Sequence, residues 1–204
     1  MSVATQTLRP GYKISRVIRG GWQLAGGHGP VDAAEQIEDM IAFADAGITT
    51  FDCADIYTGV EEAIGAFRQR YRNERGDEAL GNIRVHTKFV PDLAVLPKID
   101  KAYVEKVIDT SLKRLGMERL DIVQFHWWNY DVPRWIETAC WLEELRKAGK
   151  ILRIGGTNFD TERLMAMPLL MAASISVFSG RLSSSEYCTC IEVIATPASR
   201  MAIR

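Results

Sequence analysis

The sequence predicts an α/β fold, an incomplete (β/α)8 barrel of about six βα units behind an N-terminal β-hairpin. Three observations carry this. β-Branched and aromatic runs alternate with helical periodicity up to about residue 180, and such alternation gives parallel βαβ units with right-handed crossovers. The strand runs are apolar on both faces until their C-terminal ends, as a sheet covered by helices requires. The glycine-rich stretch RGGWQLAGGHG lacks a G-x-G-x-x-G run leading straight into a helix, which a doubly wound dinucleotide-binding sheet places after its first strand.

The elements follow in order. TLRPGYKISRVIRG carries Pro-Gly between two short runs and reads as a hairpin. Pro30 and Asp32 introduce a helix in which Ile37, Met40, Ile41 and Ala44 recur at helical spacing, and Gly47 ends it. ITTFDCAD is a strand, and EEAIGAFRQRYRNERGD is a helix that turns polar towards its end. NIRVHTKFV is the next strand, followed by a helix with Val104, Val107, Ile108, Leu112 and Leu115 on one face. DIVQFHWW is a strand, PRWIETACWLEELRKAGK a helix closing on Gly149, and ILRIGGTNF a strand. DTERLMAM starts a further helix and SISVFSG reads as the sixth strand. No low-complexity linker divides the chain.

The 204 residues are 47% hydrophobic and 25% charged, with a formal net charge of −1, which suits a globular chain with one sizeable core. So balanced a charge gives no footing for nucleic acid or an anionic membrane. No apolar run reaches the roughly 18 residues of a spanning helix. MSVATQTLRP lacks the apolar block of a signal peptide, so a cytoplasmic protein is expected. Cys53, Cys140, Cys188 and Cys190 form no paired CxxC motifs and read as buried or incidental thiols. No metal site is expected.

Barrel enzymes place their chemistry at the C-terminal ends of several strands. Here the first strand ends in Gly20, Gly21 and Trp22, and the second in Asp52, with Asp55 and Tyr57 just beyond. The third ends in Lys88, the fourth in His126 with Trp127 and Trp128, and the fifth in Thr157 and Asn158. Each has a plainer reading taken alone. Asp52 or Asp55 could cap the next helix, Lys88 could snorkel from a strand end, and His126 could be a satisfied core histidine. Tyr57 and the tryptophans could be packing, and Thr157-Asn158 a loop start. Their conjunction argues for a site, because helix caps do not explain a lysine and a histidine at the same end of the sheet.

The chemistry of that set is specific. A tyrosine is a poor acid or base at neutral pH because the phenol pKa is about 10, and a nearby ammonium favours phenolate. If Lys88 supplies the ammonium, Asp52 keeps it charged and fixed. Tyr57 then becomes a proton donor to a substrate oxygen that His126 orients. Such a set protonates a carbonyl oxygen but offers no strong nucleophile and no electron source, so it calls for a hydride donor. Trp22, Trp127 and Trp128 suggest an apolar or aromatic pocket, and Asp55 reads as structural or as a helix cap.

These residues resemble the aldo-keto reductase family over about residues 7–180. DCADIY resembles the family's D-x-A-x-x-Y segment, HTKF its lysine-bearing strand, SLKRLGMERLDIVQFH its helix-to-histidine signature and LRKAGKILRIGGTNF the stretch leading to its S-N-F motif. The resemblance implies a (β/α)8 barrel that reduces aldehydes and ketones with NADPH, less often NADH. It matches Asp52, Tyr57, Lys88 and His126 to the catalytic tetrad. It also implies that Gly21 and Trp22 lie beside the nicotinamide, with Asp52 at the same site, and that Thr157 and Asn158 hold the carboxamide. Thr157 in place of the usual serine keeps a hydroxyl.

The tail departs from that pattern. At thirty-odd residues per unit, eight units need roughly 270 residues, and after Gly180 comes RLSSSEYCTCIEVIATPASRMAIR with no convincing βα unit. Arg181 sits where the family has a glutamine. The expectation is a partial barrel over 1–180 and an unrelated, frameshifted or disordered tail over 181–204, with cofactor grip weakened and exposed sheet edges open to self-association. A family-like continuation in another reading frame across codons 170 to 204 would support the shift. Two other functions compete. A metal-dependent hydrolase would use Asp52, Asp55 and His126, a thin ligand set beside a repelling Lys88. A non-catalytic regulatory subunit or dead fragment would lack cofactor binding altogether.

Overall fold

A computed structural model describes residues 3–26 and 32–167 of the chain. Pro30, the predicted strand SISVFSG, Arg181, Cys188, Cys190 and the 181–204 tail lie outside the described residues. The hairpin forms from β1 (Thr5–Arg9) and β2 (Tyr12–Ser15), paired antiparallel. At its turn Gly11 takes φ 75°, where a side chain would be strained. The run expected to continue the hairpin divides instead, and Ile18–Gly20 (β3) joins a separate sheet.

That sheet is parallel and runs β3, β4 (Thr50–Asp52), β5 (Arg84–Phe89), β6 (Leu120–His126), β7 (Ile151–Thr157). Sequential strands are neighbours throughout, with no reversal of order. A doubly wound sheet has such a reversal, whereas this order is that of a barrel wall, of which the described residues form an open arc. The connecting helices are α1 (Ala33–Asp45), α2 (Val60–Leu80), α3 (Lys101–Leu115) and α4 (Trp135–Lys147), and residues 161–167 are also helical.

Local chemistry sets the helix ends. Asp32 Oδ1 accepts the Ala34 and Glu35 N–H groups at 2.8 and 3.0 Å, and Asp100 accepts that of Tyr103 at 2.8 Å, satisfying donors that a first turn leaves open. Helix α3 stops where Gly116 turns left-handed, φ 60°. Helix α2 is broken at Gly76 (φ 86°, ψ 172°), a kink that the helical reading of this segment ran through. Two short 3-10 turns, Trp22–Ala25 and Leu96–Lys98, were not foreseen.

Strand alternation sorts the two faces of the sheet. Phe51, Val85, Phe89, Val123, Phe125 and Trp127 point outward into the core under the helices, against Ile64, Phe67, Val104, Ile108 and Leu142. Each such side chain contributes about 1.5–3 kcal/mol by leaving water. On the inner face, at the N-terminal end of the sheet, the hairpin closes the floor by packing Tyr12 and Ile14 against Ile122 of β6. Ser15 and Thr50 exchange backbone-to-hydroxyl hydrogen bonds at 3.0 and 3.1 Å. The Tyr12 hydroxyl meets His86 Nε2 at 3.0 Å, and burial pushes the His86 pKa down to about 4, so the floor holds a neutral imidazole. Cys53 and Cys140 are free and buried; burial pushes the Cys53 thiol far up and Cys140 up to about 11. Among the described residues no helix is long and apolar enough to cross a membrane.

Candidate active site

Strand stagger brings the polar residues to one rim. Asp52 pairs in register with His86, Lys88 with Gln124, and His126 with Thr157. Going from β4 to β5 to β6, each polar residue lies one pleat further along its strand. In a tilted barrel wall that stagger is what keeps residues of successive strands level.

At the centre Lys88 Nζ donates to Asp52 Oδ1 at 2.5 Å and to the Cys53 carbonyl at 2.7 Å. The second Asp52 oxygen accepts from Gln124 Nε2 at 2.8 Å. Asp52 is therefore not a helix cap; its carboxylate is wholly committed to the rim. Gln124 was missed in the sequence because it precedes the strand end. Its position two residues before His126, on the same strand face, is the signal that finds it.

Tyr57 sits half-buried in the loop between β4 and α2. Lys88 Nζ lies 5.2 Å from its ring centre, within the range of a cation–π contact, and Trp22 packs edge-on to it at 5.0 Å. The phenol makes no hydrogen bond among the described residues. His126 is buried, its Nε2 has no hydrogen-bond partner among the described residues, and burial holds its pKa below the usual histidine value, favouring a neutral ring. Trp128 stacks edge-on against it at 4.4 Å and spends its indole N–H on the Pro91 carbonyl at 2.8 Å.

Trp127 requires a correction. It is 1% exposed, packs on Phe125 at 5.9 Å and donates its N–H to the Asn129 carbonyl at 2.9 Å. Because His126 faces inward, strand alternation sends Trp127 to the helix side, so it belongs to the core and not to a substrate pocket. Trp22 and Trp128, 55% and 45% exposed, are left to wall the rim. Asp55 is not a helix cap either. The N-cap of α2 is Gly59, with no side-chain bond, while both Asp55 oxygens accept the Val90 N–H at 3.1 and 3.2 Å. With Asp52 held by Lys88 and Gln124, the metal-hydrolase reading loses its ligands, and among the described residues no group of three His, Cys, Asp or Glu could hold a metal ion.

At the end of β7 the Thr157 hydroxyl and the Asn158 side-chain amide make no hydrogen bond among the described residues. Asn158 is left-handed, φ 63°, and its main-chain carbonyl accepts from the Tyr130 hydroxyl at 3.0 Å. These unspent groups fit a ligand carboxamide. Across the rim, Gly21 donates its N–H to the Asp52 carbonyl at 2.7 Å. A Cβ on Gly21 would meet that oxygen and Val60 Cγ1, both at 2.8 Å. Gly21→Ala should therefore lower stability by about 2 kcal/mol in denaturant unfolding, with the Trp22 turn displaced from β4. An unchanged midpoint would show that the turn shifts freely.

The fold and this rim define an α/β-barrel protein with its polar site at the C-terminal ends of the strands. The Aldo/keto reductase family model matches residues 16–185. The aldo-keto reductase YhdN of Bacillus subtilis is 32% identical over 160 residues, 76% of this chain and 46% of its own length. The NADH-specific methylglyoxal reductase of Escherichia coli is 29% identical over 166 residues, 74% of this chain and 50% of its own. In fold, the chain is similar to the Bombyx mori aldo-keto reductase solved in complex with NADP, with a TM-score of 0.64 at 21% identity over 82% of this chain and 54% of that one. The chain belongs to the aldo/keto reductase family. It spans about half the length of the curated relatives it matches.

Proposed function

We propose that the protein reduces aldehydes or ketones to alcohols, with Tyr57 as proton donor and a nicotinamide dinucleotide, NADPH in preference to NADH, as cofactor. One observation carries the reading. An ammonium fixed by Asp52 and the Cys53 carbonyl lies 5.2 Å from the centre of a half-buried tyrosine ring, at the end of the strands where barrel enzymes work. Tyr57 gives its proton to the carbonyl oxygen, and Lys88 stabilises the phenolate left behind. Asp52 and Gln124 hold Lys88 in place. The unpartnered Nε2 of His126 orients the carbonyl oxygen as a neutral hydrogen-bond donor. Gly21, Trp22 and Asp52 on one side, and Thr157 and Asn158 on the other, would hold the cofactor, which supplies the hydride when bound.

The rim also favours a substrate class. Trp128 has no N–H left for a substrate, so it and Trp22 offer apolar faces. An aromatic aldehyde should be reduced with kcat/KM about tenfold above that of a polyhydroxy aldehyde, a difference of about 1.4 kcal/mol. The test is NADPH oxidation by the full chain with each aldehyde, alongside fluorescence titration with NADPH and NADH. Turnover with the aromatic aldehyde is expected. Neither turnover nor cofactor binding would overturn the reading in favour of a non-catalytic role, and preference for the polyhydroxy aldehyde would overturn the assignment of the two tryptophans.

A further inference from the structure

The loop that carries Tyr57 is gripped at Asp55 from two sides. The Asp55 carboxylate accepts the Val90 N–H, two residues beyond Lys88. Its main-chain carbonyl accepts from the Arg114 guanidinium at 3.2 Å, and that group also reaches Glu61 at 3.4 Å and Glu62 at 2.9 Å. Backbone bonds do little beyond this point. Cys53 N donates to His86 O at 2.8 Å and Asp55 N to Lys88 O at 3.3 Å, which finishes the β4–β5 ladder. The loop then bonds to itself, with Tyr57 N on Ala54 O at 3.0 Å, and to the first turn of α2, with Val60 N on Tyr57 O at 3.1 Å and Ala63 N on Gly59 O at 3.0 Å. Among the described residues, no hydrogen bond of residues 56–59 reaches a strand, so Asp55 ties the phenol's loop to the strand that carries Lys88.

We infer that Asp55 is a positioning residue for Tyr57, a carboxylate latch that ties the phenol's loop to the end of the Lys88 strand and so sets the distance between phenol and ammonium. The inference rests on the reading of Tyr57 and Lys88 as a working pair. Two further observations support it. The carboxylate caps no helix; its backbone N–H partners are Val90 on the strand side and Ile56 within its own loop. Burial pushes its pKa up to about 7, the Val90 N–H pulling it down and Glu61 pushing it up. The charged and titratable groups that face it are Glu61 from α2, Arg114, Lys106 and Tyr103 from α3, and Asp92 from the segment after β5. The ionised carboxylate accepts an N–H more strongly than the acid, so the latch tightens as pH rises through 7.

Hydrogen exchange on the full chain tests this apart from activity. In Asp55→Ala the Val90 amide and the amides of residues 56–59 should lose about tenfold or more in protection factor, with Val123 in β6 unchanged. Wild-type protection of Val90 should rise from pH 6 to pH 8. Asp55→Asn, which keeps an acceptor but no titrating charge, should show no such rise, and it carries the test if the alanine variant fails to fold. In the reductase assay Asp55→Ala should lower kcat about tenfold with aldehyde KM unchanged. Unchanged protection at Val90 and 56–59 would overturn the latch. Lost protection with kcat intact would overturn its positioning role. Lost protection in a protein whose wild type shows no turnover would uphold the latch and sink the reductase reading instead.

Discussion

Tyr57→Phe is expected to lower kcat for aldehyde reduction by about 10³-fold, within the range that a positioned proton donor contributes. Cofactor affinity and unfolding free energy should both stay within about 0.5 kcal/mol of wild type. The separation of the two effects follows from the geometry. The phenol oxygen makes no hydrogen bond among the described residues, so removing it leaves no internal partner stranded. The ring contacts persist, because Trp22 at 5.0 Å and Lys88 Nζ at 5.2 Å meet the ring and not the hydroxyl. Phenylalanine keeps the ring and loses only the hydroxyl that carries the proton. Steady-state kinetics with an aromatic aldehyde and saturating NADPH measures the first quantity, and urea unfolding the second. Turnover above about a tenth of wild type would mean that another group delivers the proton, with the buried His126 the first to examine.

How far the sequence reveals this site depends on the range of the interaction. The pairing of Asp52 with Lys88 was legible because opposite charges at the C-terminal ends of neighbouring parallel strands have few other ways to be satisfied. Gln124 was hidden because an amide inside an apolar strand looks like an interruption of the core until the register sets it opposite Lys88. Trp127 and Trp128 look equivalent as letters, yet the inward setting of His126 decides between them through a period of two. Asp55 resembled a helix cap because caps are local and common, whereas its actual partner is Val90, 35 positions away. The floor of the arc was equally unreadable. The hairpin was visible from its Pro-Gly turn, but its docking through Tyr12 onto His86 spans 74 positions, and no local pattern encodes such a contact.

Gly65→Ala is expected to cost about 3 kcal/mol of stability, near the upper end for an added methyl in a tight interface. Helices α2 and α3 cross where Gly65 faces the backbone of Arg114 and Leu115, and a Cβ there would run into the Arg114 carbonyl. No rotamer relieves a collision between a Cβ and a main-chain oxygen, so the helices must part or tilt. They are poorly free to do so. One turn earlier on α2, Glu61 is fully buried, accepts from the Thr87 hydroxyl at 2.7 Å and reaches Arg114 at 3.4 Å. Separating the helices would stretch that contact and leave a buried carboxylate short of its cationic partner, a cost of several kcal/mol if fully realised. For a chain of this size 3 kcal/mol corresponds to a fall of about 6–12 °C in Tm, readable by calorimetry or circular dichroism. The same motion would pull Arg114 from the Asp55 carbonyl, so an expanded α2–α3 crossing should also loosen the Tyr57 loop. A Tm within about 2 °C of wild type would show that the helices slide apart easily, and that the contact between Gly65 and Arg114 does not set their spacing.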